Sequence, residues 1–354
     1  MKRFLSRFTK KSIILCLIGF ISFLIFVALT VYSNIRIGKL KDQQMAERWS
    51  DEGAYAQISC FFGDPQQVTD YSLTELKYKL IDQLLQDSIA ADNENARVIV
   101  DAYSAGGTVF VTSEKDMLSV NAIGVSGDFF KFHPLKLIYG TYFDNDYIMQ
   151  DYIIIDEEVA WKLFGSSNVV GKTVTISNAP HTIIGVIHRD QSKLYKKAGL
   201  TDSTIYMSYR SLEKYGTNKG ISTYEIVMPN PITGYAKSKV KDNISISKCE
   251  VVENTDRFSD KALFGNLKNF FYRSMRLENV SYPYWENVAR VTQDVLAVVF
   301  LFRIIFISIP ILFIVILLVK LWRNRKWNKH DVKRGILHLL HTIKGKIGKL
   351  LTRK

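Results

Sequence analysis

With 354 residues, 47% hydrophobic side chains and a formal net charge of +13, the chain has room for one to three domains and a charge that first suggests nucleic acid. The distribution of charge excludes that partner. Residues 1–11 carry five basic and no acidic side chains, residues 320–354 carry twelve basic ones against Asp331 alone, and the stretch between is mildly acidic.

In chain order, the basic start is followed by residues 13–32, IILCLIGFISFLIFVALTVY, an uncharged run of 20. A bilayer core takes roughly 20 apolar residues as a helix. The run is too long for a signal-peptide core, and TVYSN at its end offers no small-x-small cleavage site, so a retained signal anchor is expected. Residues 1–11 are then a basic cytoplasmic N-terminus, residues 12–33 a first transmembrane helix and residues 34–54 a polar membrane-proximal helix continuing it. Tyr55–Phe62 reads as a strand closed by Gly63, Asp64 and Pro65. Residues 72–89 predict a helix, with Ser72 and Glu75 at capping-box spacing and an apolar stripe of Leu73, Leu76, Leu80 and Leu84. Strands are expected at residues 97–103 and 108–112, as a hairpin around SAGG, and at residues 118–125.

Residues 124–190 hold the densest signals. After a β-branched run at residues 152–155, Asp156 is placed to cap a helix over Glu157–Phe164, and Gly165 to stop it in the left-handed conformation. Residues 172–176 and 181–188 alternate as paired strands around SNAP. Further on, the aromatic stretch at residues 258–279 predicts one or two helices packed on the sheet, and Tyr282, Tyr284 and Trp285 suit an interfacial aromatic belt. The domain so bounded covers residues 55–290.

A second span follows at residues 294–319, in which Val295–Val319 is interrupted only by Arg303 and carries Pro310, which would kink it. Arg303 is a candidate contact to a partner inside the membrane, with snorkelling to the headgroups as the alternative. Residues 320–354 form a basic amphipathic tail in which Ile336, Leu340, Ile343, Ile347 and Leu350 repeat at helical spacing. Lys333, Arg334, Lys344, Lys346 and Lys349 there are candidate contacts to anionic lipid or to a cytoplasmic ATPase. Basic clusters outside both spans place both termini in the cytoplasm and the middle outside the cell membrane.

Little in the chain suggests catalysis. GSSNVVGKT, residues 165–173, separates its glycines by five residues where a phosphate loop needs four. His181 and His188 are an odd number apart on one strand, hence on opposite faces, and are read as solvated. No G-x-S-x-G and no C-x-x-C occurs. No catalytic, cofactor or metal residue is therefore expected. Cys16 lies in the first span, while Cys60 and Cys249 are either a disulfide on the oxidising side or two unpaired thiols.

Three runs carry a resemblance. The first holds Gly124, Val125, Asp128, Phe129, Phe130, Leu137, Gly140 and Phe143; the second Ile154, Ile155, Glu158, Ala160, Lys162, Leu163, Phe164, Gly165, Val170, Gly171, Lys172 and Val174; the third Ile183, Ile184, Gly185 and Val186. In order and spacing they resemble the extracytoplasmic core domain of MacB-like ABC transporter permeases, related to the FtsX superfamily. The resemblance implies an α+β domain of the porter/sabre type, mixed sheets with helices, between two transmembrane helices. It implies a permease-like or accessory subunit of an export system without catalysis of its own. An ABC ATPase, a multi-span permease, a second copy of the chain and anionic lipid are the implied partners. Such permeases resemble a four-span pattern, of which two spans are found here, which favours the accessory role. A stand-alone membrane-anchored sensor or ligand-binding module is the alternative.

Overall fold

Tyr55–Phe62 forms strand β1, and every residue after Tyr55 is buried, because both faces of this β-branched and aromatic run are covered. The computed structural model describes residues 10–50, 55–89, 97–114, 116–143, 150–246, 248–269 and 282–324. Strands β2 (Val100–Thr112), β3 (Met117–Gly127), β4 (Leu137–Gly140), β5 (Tyr152–Asp156), β6 (Thr173–Ile176), β7 (Ala179–Ile187), β8 (Thr204–Ser208), β9 (Thr217–Pro229) and β10 (Cys249–Glu253) complete the set among the described residues. They join into one sheet ordered β10-β1-β9-β2-β3-β8-β5-β7-β4, with β6 pairing β2 and β7. The pairs β3–β8 and β5–β7 are parallel and the rest antiparallel, so the domain is a mixed α+β structure, as expected.

Helices α1 (Lys10–Gly38), α2 (Met45–Trp49), α3 (Asp70–Gln86), α4 (Phe129–Phe132), α5 (Glu157–Phe164), α6 (Lys193–Ala198), α7 (Tyr209–Tyr215), α8 (Tyr235–Asn243), α9 (Asp260–Lys268) and α10 (Tyr284–Asn324) accompany the strands. Leu73, Leu76, Leu80 and Leu84 are the buried stripe of α3, as their spacing predicts. Its cap lies earlier than expected: Thr69 accepts from Ser72 N at 3.2 Å, and Ser72 returns the bond, so Ser72 is the third residue of the box and not its start. The α5 prediction is met in detail. Asp156 accepts from Val159 N at 2.8 Å, and Gly165 ends the helix at φ 67°. The β6–β7 turn is made by Ser177 and Asn178, both at positive φ, which matches a two-residue hairpin to the twist of its strands.

Two expectations fail for physical reasons. SAGG does not turn the chain, since residues 100–112 are one strand. The β2–β3 hairpin closes later, through Ser113 N to Asp116 O at 2.8 Å. The glycine serves packing instead: a Cβ on Gly107 would stand 2.5 Å from Thr217 O and 2.9 Å from Leu212 Cδ1. The membrane-proximal helix is likewise interrupted after Gly38. Residues Lys41–Gln43 form a single 3₁₀ turn before α2, and residues 51–54 lie outside the described residues. Here the Gln57 side chain accepts from Met45 N at 2.8 Å and donates to Asp42 O at 2.7 Å, so backbone groups bond to β1 rather than to a continuing helix.

The chain divides into two compact units, Ser33–Phe300 and the pair Met1–Tyr32 with Leu301–Lys354. In the second, Gly19 lets Phe313 approach, since a Cβ there would stand 3.0 Å from its ring. Ile14–Gly38 and Tyr284–Val319 are long and apolar enough to cross a membrane, each holding an 18-residue stretch with a mean hydropathy of 2.9. The 36 residues of the latter exceed the roughly 20 a bilayer core needs, which leaves a stem at its start outside the hydrocarbon. Pro310 lies within the continuous helix.

Two glycines with the same left-handed backbone separate strain from space. A Cβ added to Gly165, at φ 67°, would meet nothing within 4 Å, whereas on Gly140, at φ 82°, that atom would lie 2.0 Å from Ile184 O. Gly165→Ala is expected to cost about 1 kcal/mol and lower the unfolding temperature of the protein in detergent by about 3 °C. Gly140→Ala is expected to cost about 3 kcal/mol or more, with a fall at least twice as large. Equal shifts would contradict the close β4–β7 approach.

Candidate functional site

Charged side chains are rarely buried without partners, because desolvation costs several kcal/mol per ion. The domain nevertheless buries a row of them. His133, just after α4, is fully buried; its Nδ1 donates to Asp42 Oδ1 at 2.9 Å and its Nε2 to Glu225 on β9. With a carboxylate at each nitrogen, both nitrogens are donors and the ring is an imidazolium. Burial alone would pull its pKa down, but Glu225 and Asp42 outweigh that and hold it up to about 9.

The row continues across the sheet. Ser59 on β1 donates to Glu225 Oε1 at 2.8 Å, and Asn254 donates to Ser59 Oγ at 2.8 Å. Arg257 Nη1 donates to Asn254 Oδ1 at 3.1 Å and, with Nη2, holds Glu286 in a fork of two 2.7 Å bonds. Arg257 is 6% and Glu286 1% exposed, so this ion pair is dry. Glu286 stands in the first turn of α10, before the apolar part of the helix. It also accepts from Arg290 Nε at 2.6 Å, whose Nη2 reaches Glu250 on β10 at 2.7 Å. Burial would raise the Glu250 pKa, yet Tyr282 and Arg290 hold it below its ordinary value.

The signs alternate along this path, from Asp42 through His133 and Glu225 to Arg257, Glu286, Arg290 and Glu250. Elements far apart in sequence are tied by it to the stem of α10, and aromatic packing adds to the tie. Trp285 is 2% exposed, with its ring 4.4 Å from His133 and 5.8 Å from Phe129, and Tyr284 Oη lies 3.2 Å from Tyr206 Oη. Tyr282 packs edge-on to Phe61 at 5.4 Å and donates to Glu250. The expected interfacial belt is therefore corrected: these three aromatics are domain packing. A cavity of about 550 Å³ opens beside the row, lined by Lys237, Glu250, Asp256, Arg257, Arg290 and Asp294 among others.

The row ties the α10 stem to the sheet through paired charges. Among the described residues, no group of three or more His, Cys, Asp or Glu could hold a metal ion. The GSSNVVGKT run is a turn: Gly171 N donates to Ile183 O at 2.7 Å, Lys172 N to Val169 O at 3.1 Å, and Lys172 Nζ lies 4.8 Å from the Phe164 ring centroid. His181 is not the solvated histidine expected. It is 1% exposed, shares a 2.7 Å bond with Ser211 Oγ, and its pKa is lowered by burial. Arg303 sets its guanidinium over the Phe26 ring of α1 at 5.9 Å. Lys333, Arg334, Lys344, Lys346 and Lys349 lie outside the described residues. Cys60 and Cys249 are free thiols on neighbouring strands.

Sequence reasoning missed the row itself. His133 lies 92 residues from Glu225 and 91 from Asp42, so no local spacing announces it. One signal was present: Glu225 is a lone acid in the apolar run TYEIVM, where burial demands a partner.

Comparisons with known proteins bear on this geometry. A model of the MacB-like periplasmic core domain matches residues 26–246, more than half of the chain. The macrolide export ATP-binding/permease protein MacB of Neisseria gonorrhoeae is 35% identical over 91 residues, which are 25% of this chain and 14% of that protein. The MacB of Chromobacterium violaceum is 32% identical over 72 residues, 20% of this chain and 11% of that one. The chain thus aligns with only a small part of these relatives' length. Among solved structures, the periplasmic region of MacB from Actinobacillus actinomycetemcomitans aligns with 60% of this chain and 92% of that one, at 16% identity and a TM-score of 0.41. The extracellular domain of the noncanonic ABC-type transporter YknZ from Gram-positive bacteria aligns with 55% and 99%, at 18% identity and a TM-score of 0.37.

The His133 bridge makes stability depend on pH. Its pKa is raised from 6.5 to about 9, so its contribution is full below 6.5 and is lost as pH rises through about 9. On the order of 3 kcal/mol is at stake. The unfolding temperature is expected to fall between pH 7 and 9.5 more steeply in the wild type than in His133→Gln. Parallel pH profiles would show that His133 is not held charged.

Proposed function

The chain belongs to the MacB-like periplasmic core domain family, and from that premise we propose that it is a permease-like or accessory membrane subunit of an ABC export system. In this reading the domain lies outside the cytoplasmic membrane, both basic ends lie inside, and a separate ATPase subunit drives the membrane helices. The chain performs no catalysis of its own. Its work is to carry movement between the second span and the sheet.

The observation that supports this most is the dry fork between Arg257 and Glu286, with Arg290 and Glu250 beyond it. A helix is stiff along its axis, and removing one partner of a buried ion pair costs about 3–5 kcal/mol, so the stem and the sheet resist separation. A surface ion pair, worth about 0–1 kcal/mol, would slip under load. The alternative reading, a stand-alone sensor or ligand-binding module, draws on the cavity of about 550 Å³ beside the same row.

Recovery of the solubilised full-length chain from its native membrane, followed by identification of its companions, separates the two readings. An ABC ATPase or a multi-span permease is expected among them. In the recovered complex, Glu286→Gln is expected to leave association unchanged and to uncouple ATP hydrolysis from the domain. Repeated recovery of the chain without either companion would overturn the export reading and favour the sensor.

A further inference from the structure

The last strand of the sheet, β10, carries Glu250 at its second position and has β1 as its paired neighbour. Its register places Cys60 opposite Val251 and Cys249 opposite Phe62. Directly opposed residues, and residues two apart along a strand, project from the same face. Cys60 and Cys249 therefore stand diagonally on one face of the β1–β10 pair. Cys249 packs against the core cluster that contains Cys60. Cys60 is fully buried, whereas Cys249 is partly exposed.

We propose that Cys60 and Cys249 are a disulfide-forming pair, closed by an oxidised thiol–disulfide reagent or enzyme, that staples β10 to β1. The exposure of Cys249 makes it the attacking group. Its thiolate attacks the oxidant's disulfide, one oxidant sulfur leaves as a thiol, and a mixed disulfide forms on Cys249. The Cys60 thiol, held above its ordinary range by the neighbouring Cys249 and by burial, resolves it. It loses its proton, attacks Cys249 Sγ and expels the second oxidant sulfur. Two electrons and two protons pass to the oxidant, which leaves as two thiols.

The consequence is local to the ion row. Glu250 follows Cys249 directly and receives Arg290 of the α10 stem, so fixing Cys249 to β1 fixes the far end of the row to the sheet. The pairing stands on the register and the shared packing, independently of any transport role; only its occurrence in the cell rests on the domain lying in an oxidising compartment.

Purified full-length protein, reduced and then exposed to oxidised glutathione, tests the pair by peptide mapping without reductant, with Cys16 as the internal control for alkylation. A Cys60–Cys249 linked peptide is expected, together with a rise of about 5 °C in unfolding temperature that dithiothreitol reverses. Cys60→Ser is expected to trap glutathione on Cys249. Wild-type protein that keeps glutathione on Cys249, or in which both thiols remain alkylatable, would overturn the proposal.

Discussion

The ion pair between Arg257 and Glu286 is the constraint on which the rest of the domain's lower end depends. Both groups are withdrawn from water, and removing either would leave the other as a costly unpaired buried charge. Arg257 answers to Asn254 and through Ser59 to Glu225, while Glu286 answers to Arg290 and through it to Glu250. The stem of α10 is thereby positioned by side chains from β1, β9, β10 and the loop after β10. An apolar contact of equal area would hold the stem as firmly but would tolerate sliding, because dispersion has no direction. Forked hydrogen bonds do not tolerate it.

Stability and specificity come from different parts of the molecule. The sheet is stabilised by its apolar layers: one cluster gathers Leu73, Leu80 and Leu84 of α3 with Ile58 and Phe62 of β1, and another gathers Phe129, Phe132, Tyr206 and Trp285. Burial of such side chains contributes about 1.5–3 kcal/mol each. The charged row lies against the second cluster, where the Trp285 ring packs at a tilt against His133. Apolar burial thus supplies the low-dielectric surroundings in which the row is strong, and the row sets the one arrangement in which that burial is complete.

Much of this was legible in the sequence, wherever information is local. The α5 cap, its glycine stop, the α3 stripe and the two membrane-length runs depend on residues a few positions apart. SAGG misled because glycine marks close approach as readily as a turn, and only the position of Leu212 decides between them. The aromatics at residues 282–285 misled for a related reason: beside an apolar run they suit a membrane interface, and only the fold shows His133 and Tyr206 waiting for them. The ion row was hard to see because its members are distributed from Asp42 to Arg290, and each except Glu225 looks like an ordinary surface charge until its environment is known.

Glu225 in the sheet and Glu286 in the stem belong to one energetic unit, joined through Ser59, Asn254 and Arg257. A double-mutant cycle of Glu225→Gln and Glu286→Gln, read by equilibrium unfolding of the full-length protein in detergent, tests it most directly. An interaction of about 1 kcal/mol or more between the two sites is expected. Additivity to within about 0.5 kcal/mol would contradict it and leave the stem held by packing alone.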